Sequence, residues 1–257
     1  MLLHRLNDDG SGWRADIGVM DLIRVEVEVA FENQRRFVAD AAHELRSPVT
    51  ALQLQLQVLE RSRDPAERAL ATAELAAGIA RTRRLIAQLL DLSRSSADGA
   101  LPLVPESLAL GELARTIVAR WSVEAERRQI DLGAETRTDA RIEGDREQLE
   151  MLLGNLVENA LRYTPGGGTV DVVATVIDGA PTLEVVDNGP GIAADERTRV
   201  FDRFYRSPEA MAGGESGSGL GLAIVKAIAD RHGAAVSLHD GRGGSGLGVR
   251  VRFPAAA

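Results

Sequence analysis

Apolar residues recur at three- and four-residue steps through Val38, Ala41 or Ala42, Leu45, Val49, Leu52, Leu56 and Leu59. That is the buried stripe of an amphipathic helix. Upstream, residues 22–31 fit two patterns. Ile23, Val25, Val27, Val29 and Phe31 alternate as in a strand, whereas Ile23, Val27, Ala30, Gln34, Phe37 and Ala41 form a heptad seam. The seam is preferred because it runs directly into the helix. Residues 1 to about 20 show no clear period. The first helix is expected to end near Arg61-Ser62. Asp64-Pro65-Ala66-Glu67 then supplies an N-cap, a proline at the first helical position and a capping-box acid. A second helix follows to about Ser95, with Leu75, Ile79, Leu85, Ile86, Leu89, Leu90 and Leu92 as candidate core residues.

Beyond Ser96–Pro105, a stretch carrying Gly99, Pro102 and Pro105, the pattern changes to alternating helices and strands. The periodicity predicts a helix over about 107–128 and a strand over about 130–134. It also predicts a helix over 146–163, capped by Asp145 with Gln148. Strands at about 169–177 and 181–187 are joined through Asp178-Gly179, a hairpin signal. A helix over about 219–232 and strands at about 234–240 and 247–253 complete the chain. The expected architecture has two domains. An all-α helical hairpin is followed by an α+β sandwich of helices on an antiparallel-rich sheet. The boundaries are a lead-in over 1–31, the hairpin over 32–97, a linker over 98–105 and the second domain over 106–257. A two-helix hairpin has too little core of its own, so pairing two of them into a dimeric four-helix bundle is a physical expectation.

Composition narrows the function. The 257 residues are 44% hydrophobic, enough for one large or two modest domains. The net charge is −8, with acidic and basic residues interleaved, which argues against nucleic acid as the main partner. No cysteine is present, so disulfides, thiolate metal sites and cysteine nucleophiles are excluded. Lys226 is the one lysine, leaving a single candidate for a phosphate-binding lysine of the Walker type. No apolar run approaches the ~18 residues that span a bilayer, and the chain is expected to be soluble.

Several polar residues stand where chemistry is possible. His43 lies two positions before Leu45, about 200° around the helix from the apolar stripe, so it faces solvent. Glu44 places a carboxylate beside the imidazole, an acid–base pairing. Pro48 removes the N–H that would bond the Glu44 carbonyl and is expected to bend the helix. In the second domain Asn155 and Asn159 share one helical face, and their amide oxygens suit a hard cation such as Mg²⁺. Asp187 ends a strand and runs into Asn188-Gly189-Pro190-Gly191-Ile192, where glycine lets backbone approach a flat ligand. Gly217-Ser218-Gly219-Leu220-Gly221 opens a helix, whose free amides favour phosphate. Between them lies a long segment containing Phe201-Asp202-Arg203-Phe204-Tyr205-Arg206 and Gly213-Gly214-Glu215, read as a lid, with Arg203 or Arg206 placed to meet a terminal phosphate. Each feature taken alone also fits plain structure: a solvated His, capping Asn, an ordinary Asp-Gly turn, aromatics packed under a loop.

Taken in order, these residues resemble the kinase core of bacterial two-component sensor histidine kinases. His43-Glu44-Leu45-Arg46-Ser47-Pro48 is similar to the family's H-box and Asn155 to Thr164 to its N-box. Asp187 to Gly191, Phe201 to Arg206 and Gly217 to Leu222 are similar to its first glycine box, F-box and second glycine box. The resemblance covers about residues 32–254. It implies a HisKA-type hairpin and a Bergerat or GHKL-like ATP-binding domain, with ATP and Mg²⁺ as cofactors. His43 would take the γ-phosphoryl group and Glu44 would act as base and orienter. Ser47 stands where the family usually has Thr or Asn, and retains a hydroxyl for dephosphorylating the regulator. Asn159 with Asn155 would hold Mg²⁺, Asp187 would read the adenine amine, and Gly189 and Gly191 would floor the pocket. Arg162 and Tyr163 would touch the nucleotide, and Gly217, Gly219 and Gly221 would border the phosphates. Ile192, Phe204, Arg206, Ser218 and Leu220 would complete the site. The implied partners are a second copy of the chain and a response-regulator receiver domain, with no nucleic acid. The implied setting is the cytosolic part of an inner-membrane sensor, reaching the membrane only through upstream segments. A conformational ATPase of the same nucleotide fold and a non-catalytic dimeric scaffold are the competing readings.

Overall fold

The computed structural model describes residues 12–95, 103–208 and 217–255, with some side chains in the first helix and at 91, 94, 95 and 243 left aside. The Gly213-Gly214-Glu215 stretch and most of the linker 98–105 lie outside the described residues. The chain forms two compact units, the first ending at Thr82 and the second beginning at Arg83.

Helix α1 spans Gly12–Arg61 in the first unit, and helix α2 spans Pro65–Ser95, its residues from Arg83 on belonging to the second unit. The seam reading of residues 22–31 is the one observed, and the helix reaches further back, over residues 12–20, where the sequence shows no period. The turn between the helices is capped as expected. The Asp64 carboxylate accepts from the amides of Ala66 at 3.1 Å and Glu67 at 3.0 Å, two of the donors that a helix start leaves free. Pro48 stays inside α1, and the Thr50 hydroxyl donates to the Arg46 carbonyl at 2.9 Å one turn away.

The expected apolar stripe of α1 is only partly covered. Ala41, Leu45, Pro48, Leu52, Gln55 and Leu59 are half-buried. Val38, Val49 and Leu56 are exposed by 60%, 46% and 45%, and on α2 so are the expected core residues Ile79, Ile86 and Leu90. The reason is geometric: two helices cover one narrow strip on each other. Close approach marks that strip, where a methyl group at Gly78 of α2 would stand 2.8 Å from both Leu52 and Gln55.

The second unit is the α+β sandwich. Its sheet runs β2 (Asp131–Thr136), β4 (Thr169–Ile177), β5 (Ala180–Asp187), β7 (Leu247–Arg252) and β6 (Ala235–Asp240), in that spatial order. The β2–β4 pair is parallel and the other three pairs are antiparallel. A parallel pair needs a crossover, and helix α4 (Arg146–Tyr163) supplies it. Helices α3 (Leu110–Arg127), α4 and α5 (Gly221–Arg231) bury Leu113, Ile117, Leu149, Leu153, Ile224 and Ile228, facing Val170, Val172, Leu183 and Val251 of the sheet. The β4–β5 turn has Asp178 at φ 49° and Gly179 at φ 76°, the left-handed pair of a tight hairpin.

Two short strands escape the sequence pattern. β1 (Glu106–Ala109) and β3 (Arg141–Gly144) pair antiparallel in a separate ribbon, so the helix expected from about 107 begins at Leu110. Asp145 caps α4, with Oδ1 accepting from the Gln148 amide at 3.2 Å. Its own amide donates to His232 Nε2 at 3.1 Å, tying the start of α4 to the end of α5.

Candidate nucleotide site and phosphoacceptor helix

On α1, His43, Glu44 and Ser47 are all exposed, as expected for residues off the apolar strip. A histidine in this position buries nothing in its own unit.

In the second unit a cavity of about 330 Å³ opens between α4, the end of β5, β7 and the loop that enters α5. Asn159, Arg162, Tyr163, Asp187, Gly191, Ile192, Arg206, Ser218, Gly219 and Gly221 line it. These are ten of the residues singled out in the sequence, brought together from four separate motifs.

Asp187 is the buried anion of the cavity, 8% exposed at the end of β5. Its Oδ1 accepts from the Gly189 amide at 2.9 Å and the Leu247 amide at 3.1 Å. Among the described residues those two donors are its partners, and the second oxygen is left for whatever enters the cavity. Burial holds its carboxyl above the ordinary carboxylate value, against the downward pull of the two backbone amides. A single hydrogen-bond acceptor set in walls of Val185, Ile192 and Val249 suits a flat heterocycle bearing an amino group.

At the other side of the cavity α5 begins, with unpaired amides that favour phosphate. Gly221 is its first residue, and a methyl group there would stand 3.0 Å from Asn159 Nδ2 and 3.2 Å from Asn159 Oδ1. The helix start therefore sits on the Asn159 amide because Gly221 carries no side chain. Asn155 lies one turn back, outside the lining; its Nδ2 donates to the Met151 carbonyl at 2.9 Å, which leaves its Oδ1 on the Gly221 side. Arg162 is held by Glu158 at 2.6 Å, with both side chains largely buried.

The second glycine loop and the F-box interlock. The Phe204 amide donates to the Gly219 carbonyl at 3.0 Å. Both residues are left-handed, at φ 64° and φ 69°, and a methyl group on Gly219 would meet the Phe204 carbonyl carbon at 2.6 Å. Phe204 thus acts through its backbone, and its neighbour Tyr205 lines the cavity instead. The Tyr205 hydroxyl donates to Glu196 at 3.0 Å and its ring lies under Arg199 at 4.5 Å. Burial and Glu196 push that phenol above its ordinary value. Leu220 is fully buried beneath the loop, Gly217 packs beside the Arg162 guanidinium, and Gly189 serves through its amide. Leu247, Val185 and Val249 have no local sequence signal, and pairing of β5 with β7 puts them together; Tyr205 stands inside the Phe201–Arg206 stretch that the sequence does mark.

The histidine kinase-, DNA gyrase B- and HSP90-like ATPase family model matches residues 144–257, and the His kinase A phospho-acceptor domain model matches residues 33–98. The sensor protein kinase PmrB of Pseudomonas aeruginosa is 37% identical over 241 residues, 94% of this chain and 50% of that protein. A solved mycobacterial sensor histidine kinase MprB is 33% identical with a TM-score of 0.51, matched over 59% of this chain and 97% of its own. The histidine kinase AdeS of Acinetobacter baumannii shares the fold, with a TM-score of 0.67 at 23% identity over 84% of this chain and 98% of its own. This chain spans about half the length of the curated relatives it matches. Among the described residues, no helix is long and apolar enough to cross a membrane. An exposed histidine on the phospho-acceptor hairpin, followed by an ATPase-family sandwich around Asp187 and Asn159, places the chain in the sensor histidine kinase family.

Proposed function

We propose that the chain is an ATP-dependent protein-histidine kinase core that phosphorylates its own His43. The observation that carries this reading is the pairing, in one polypeptide, of an exposed His43-Glu44 on the phospho-acceptor helix with a cavity carrying an adenine-type acceptor, Asp187, and a helix start over Asn159. A ring nitrogen of His43 attacks the γ-phosphorus of ATP. The N–P bond forms as the bond to the β-phosphate oxygen breaks; ADP leaves and Glu44 takes the imidazole proton. The phosphoryl group then passes to an aspartate oxygen of a response-regulator receiver domain, breaking the N–P bond. The Ser47 hydroxyl, one turn from His43, would position water for regulator dephosphorylation.

The donor set fits Mg²⁺. Asn159 and Asn155 offer hard amide oxygens, and the described residues hold no cluster of three acidic or His side chains. Such a site leaves the remaining positions to phosphate oxygens and water. Bound there, Mg²⁺ would neutralise phosphate charge. The chain's own part is to orient: Glu158 aims Arg162, Asp187 fixes the base, and Ile192, Val185 and Val249 exclude water from it.

The exposed Val38, Val49, Leu54, Leu56, Ile79 and Leu90 of the hairpin support a homodimer, since a four-helix bundle covers such faces. We place the module on the cytosolic side of a membrane sensor, joined through segments upstream. Incubation with γ-labelled ATP and Mg²⁺ tests the reading. Acid-labile, alkali-stable label on the protein is expected. ATP hydrolysis without protein labelling would favour the conformational ATPase, and nucleotide binding with neither would favour the scaffold.

A further inference from the structure

The last turns of α2, residues 83–95, belong to the second compact unit. Leu89 and Leu92 are buried there. Arg84 and Gln88 are four residues apart, so they share a helix face. From that face they reach two residues that line the cavity or hold its lining. Arg84 Nη1 lies 3.5 Å from Glu158 Oε1, the carboxylate that holds Arg162. Gln88 Oε1 accepts the Ser218 hydroxyl at 2.7 Å.

The two ties differ in kind. A guanidinium has five N–H donors, so Arg162 can keep Glu158 and still face a ligand. Arg84 is itself mostly solvent-exposed, although Glu158 is not, and its ion pair contributes little by itself. A hydroxyl has one proton. In Ser218 that proton goes to Gln88, while the oxygen accepts the Leu220 amide at 3.2 Å. Ser218 cannot donate to a phosphate oxygen at the glycine loop until Gln88 releases it.

We infer that Gln88 latches the nucleotide site: its bond to Ser218 and donation of Ser218 to phosphate are mutually exclusive, so seating of the last turns of α2 and nucleotide binding oppose each other. The inference rests on the reading of the cavity as a nucleotide site. Linkage makes the effect reciprocal. Whatever seats these turns weakens nucleotide affinity, and nucleotide loosens the turns by the same factor. A shift of α2 is thereby converted into a change of occupancy.

The test is titration of the wild type, Gln88→Leu, Ser218→Ala and the double variant with a non-hydrolysable ATP analogue and Mg²⁺. Leu keeps the bulk of Gln88 and removes its acceptor. Gln88→Leu should bind roughly two- to ten-fold tighter than wild type, the range of one neutral hydrogen bond. The same substitution should change nothing when Ser218 is already Ala. Amide hydrogen exchange across residues 83–95 of the wild type should speed up when the analogue binds. Unchanged or weaker binding by Gln88→Leu, an equal gain in the Ser218→Ala background, or slower exchange in those turns would overturn the latch. No binding by any of the four proteins would be the failure of the nucleotide reading, and would remove the latch with it.

Discussion

The Leu247 amide donates to Asp187 Oδ1 at 3.1 Å across 60 residues of sequence, so the end of β5 and the start of β7 are fastened at the one buried carboxylate of the cavity. The contact fixes the carboxylate's orientation, and burial raises its carboxyl above the ordinary value. Both follow from the same placement. An acid whose folded-state value is raised binds its proton more tightly folded than unfolded, so its burial costs stability where it is ionised. Asp187→Asn should therefore raise the melting temperature at neutral pH, and the gain should shrink as pH falls and Asp187 protonates. The same variant should bind ATP at least about ten-fold more weakly, because a charged acceptor is lost. Calorimetric melting across pH together with nucleotide titration checks both halves.

Gly221→Ala separates helix stability from the phosphate side of the site. Alanine favours a helix by up to ~1 kcal/mol over glycine, so the fold should not weaken. Its methyl group would stand against the Asn159 amide. Nucleotide affinity should drop roughly ten-fold in the presence of Mg²⁺ and less in its absence, as read by titration with and without the metal. Equal losses in both conditions would remove Asn159 from the metal's environment.

Gly219→Ala should behave differently, since it strikes backbone. The left-handed φ and the Phe204 carbonyl carbon at 2.6 Å leave the new methyl group no room. Backbone strain of this kind costs about 1–3 kcal/mol. A lower denaturation midpoint with weakened nucleotide binding is expected, and a variant with unchanged midpoint would contradict the interlock.

Asp145→Ala removes the cap of α4, with Oδ1 on Gln148 and Oδ2 accepting the Val104 amide at 3.3 Å. Loss of a helix cap costs about 0.5–2 kcal/mol. Denaturant unfolding should show that loss, with His43 labelling retained at temperatures where the variant is folded.

Much of this arrangement is legible in the sequence because it is local. The bounds of α4 follow from Asp145 and Gln148, and the β4–β5 hairpin from Asp178-Gly179. Four of the five motifs name most of the cavity lining, because each carries its chemistry within a few residues. What the sequence hides is set by tertiary pairing. β1 and β3 are four residues each, too short for a period, and exist because Leu108 and Ile142 meet across the ribbon. Val185 and Val249 become cavity walls through strand register. Val38, Val49 and Leu56 read as core because apolar spacing marks a face to be covered without saying whether the same chain covers it.

Phosphopeptide mapping under alkaline conditions, after incubation with γ-labelled ATP and Mg²⁺, decides whether ATP phosphorylates His43. One phosphohistidine is expected, at His43, absent from His43→Gln and from Asn159→Ala. Label retained by His43→Gln, or found on His232, His239 or a hydroxyl side chain instead, would contradict it.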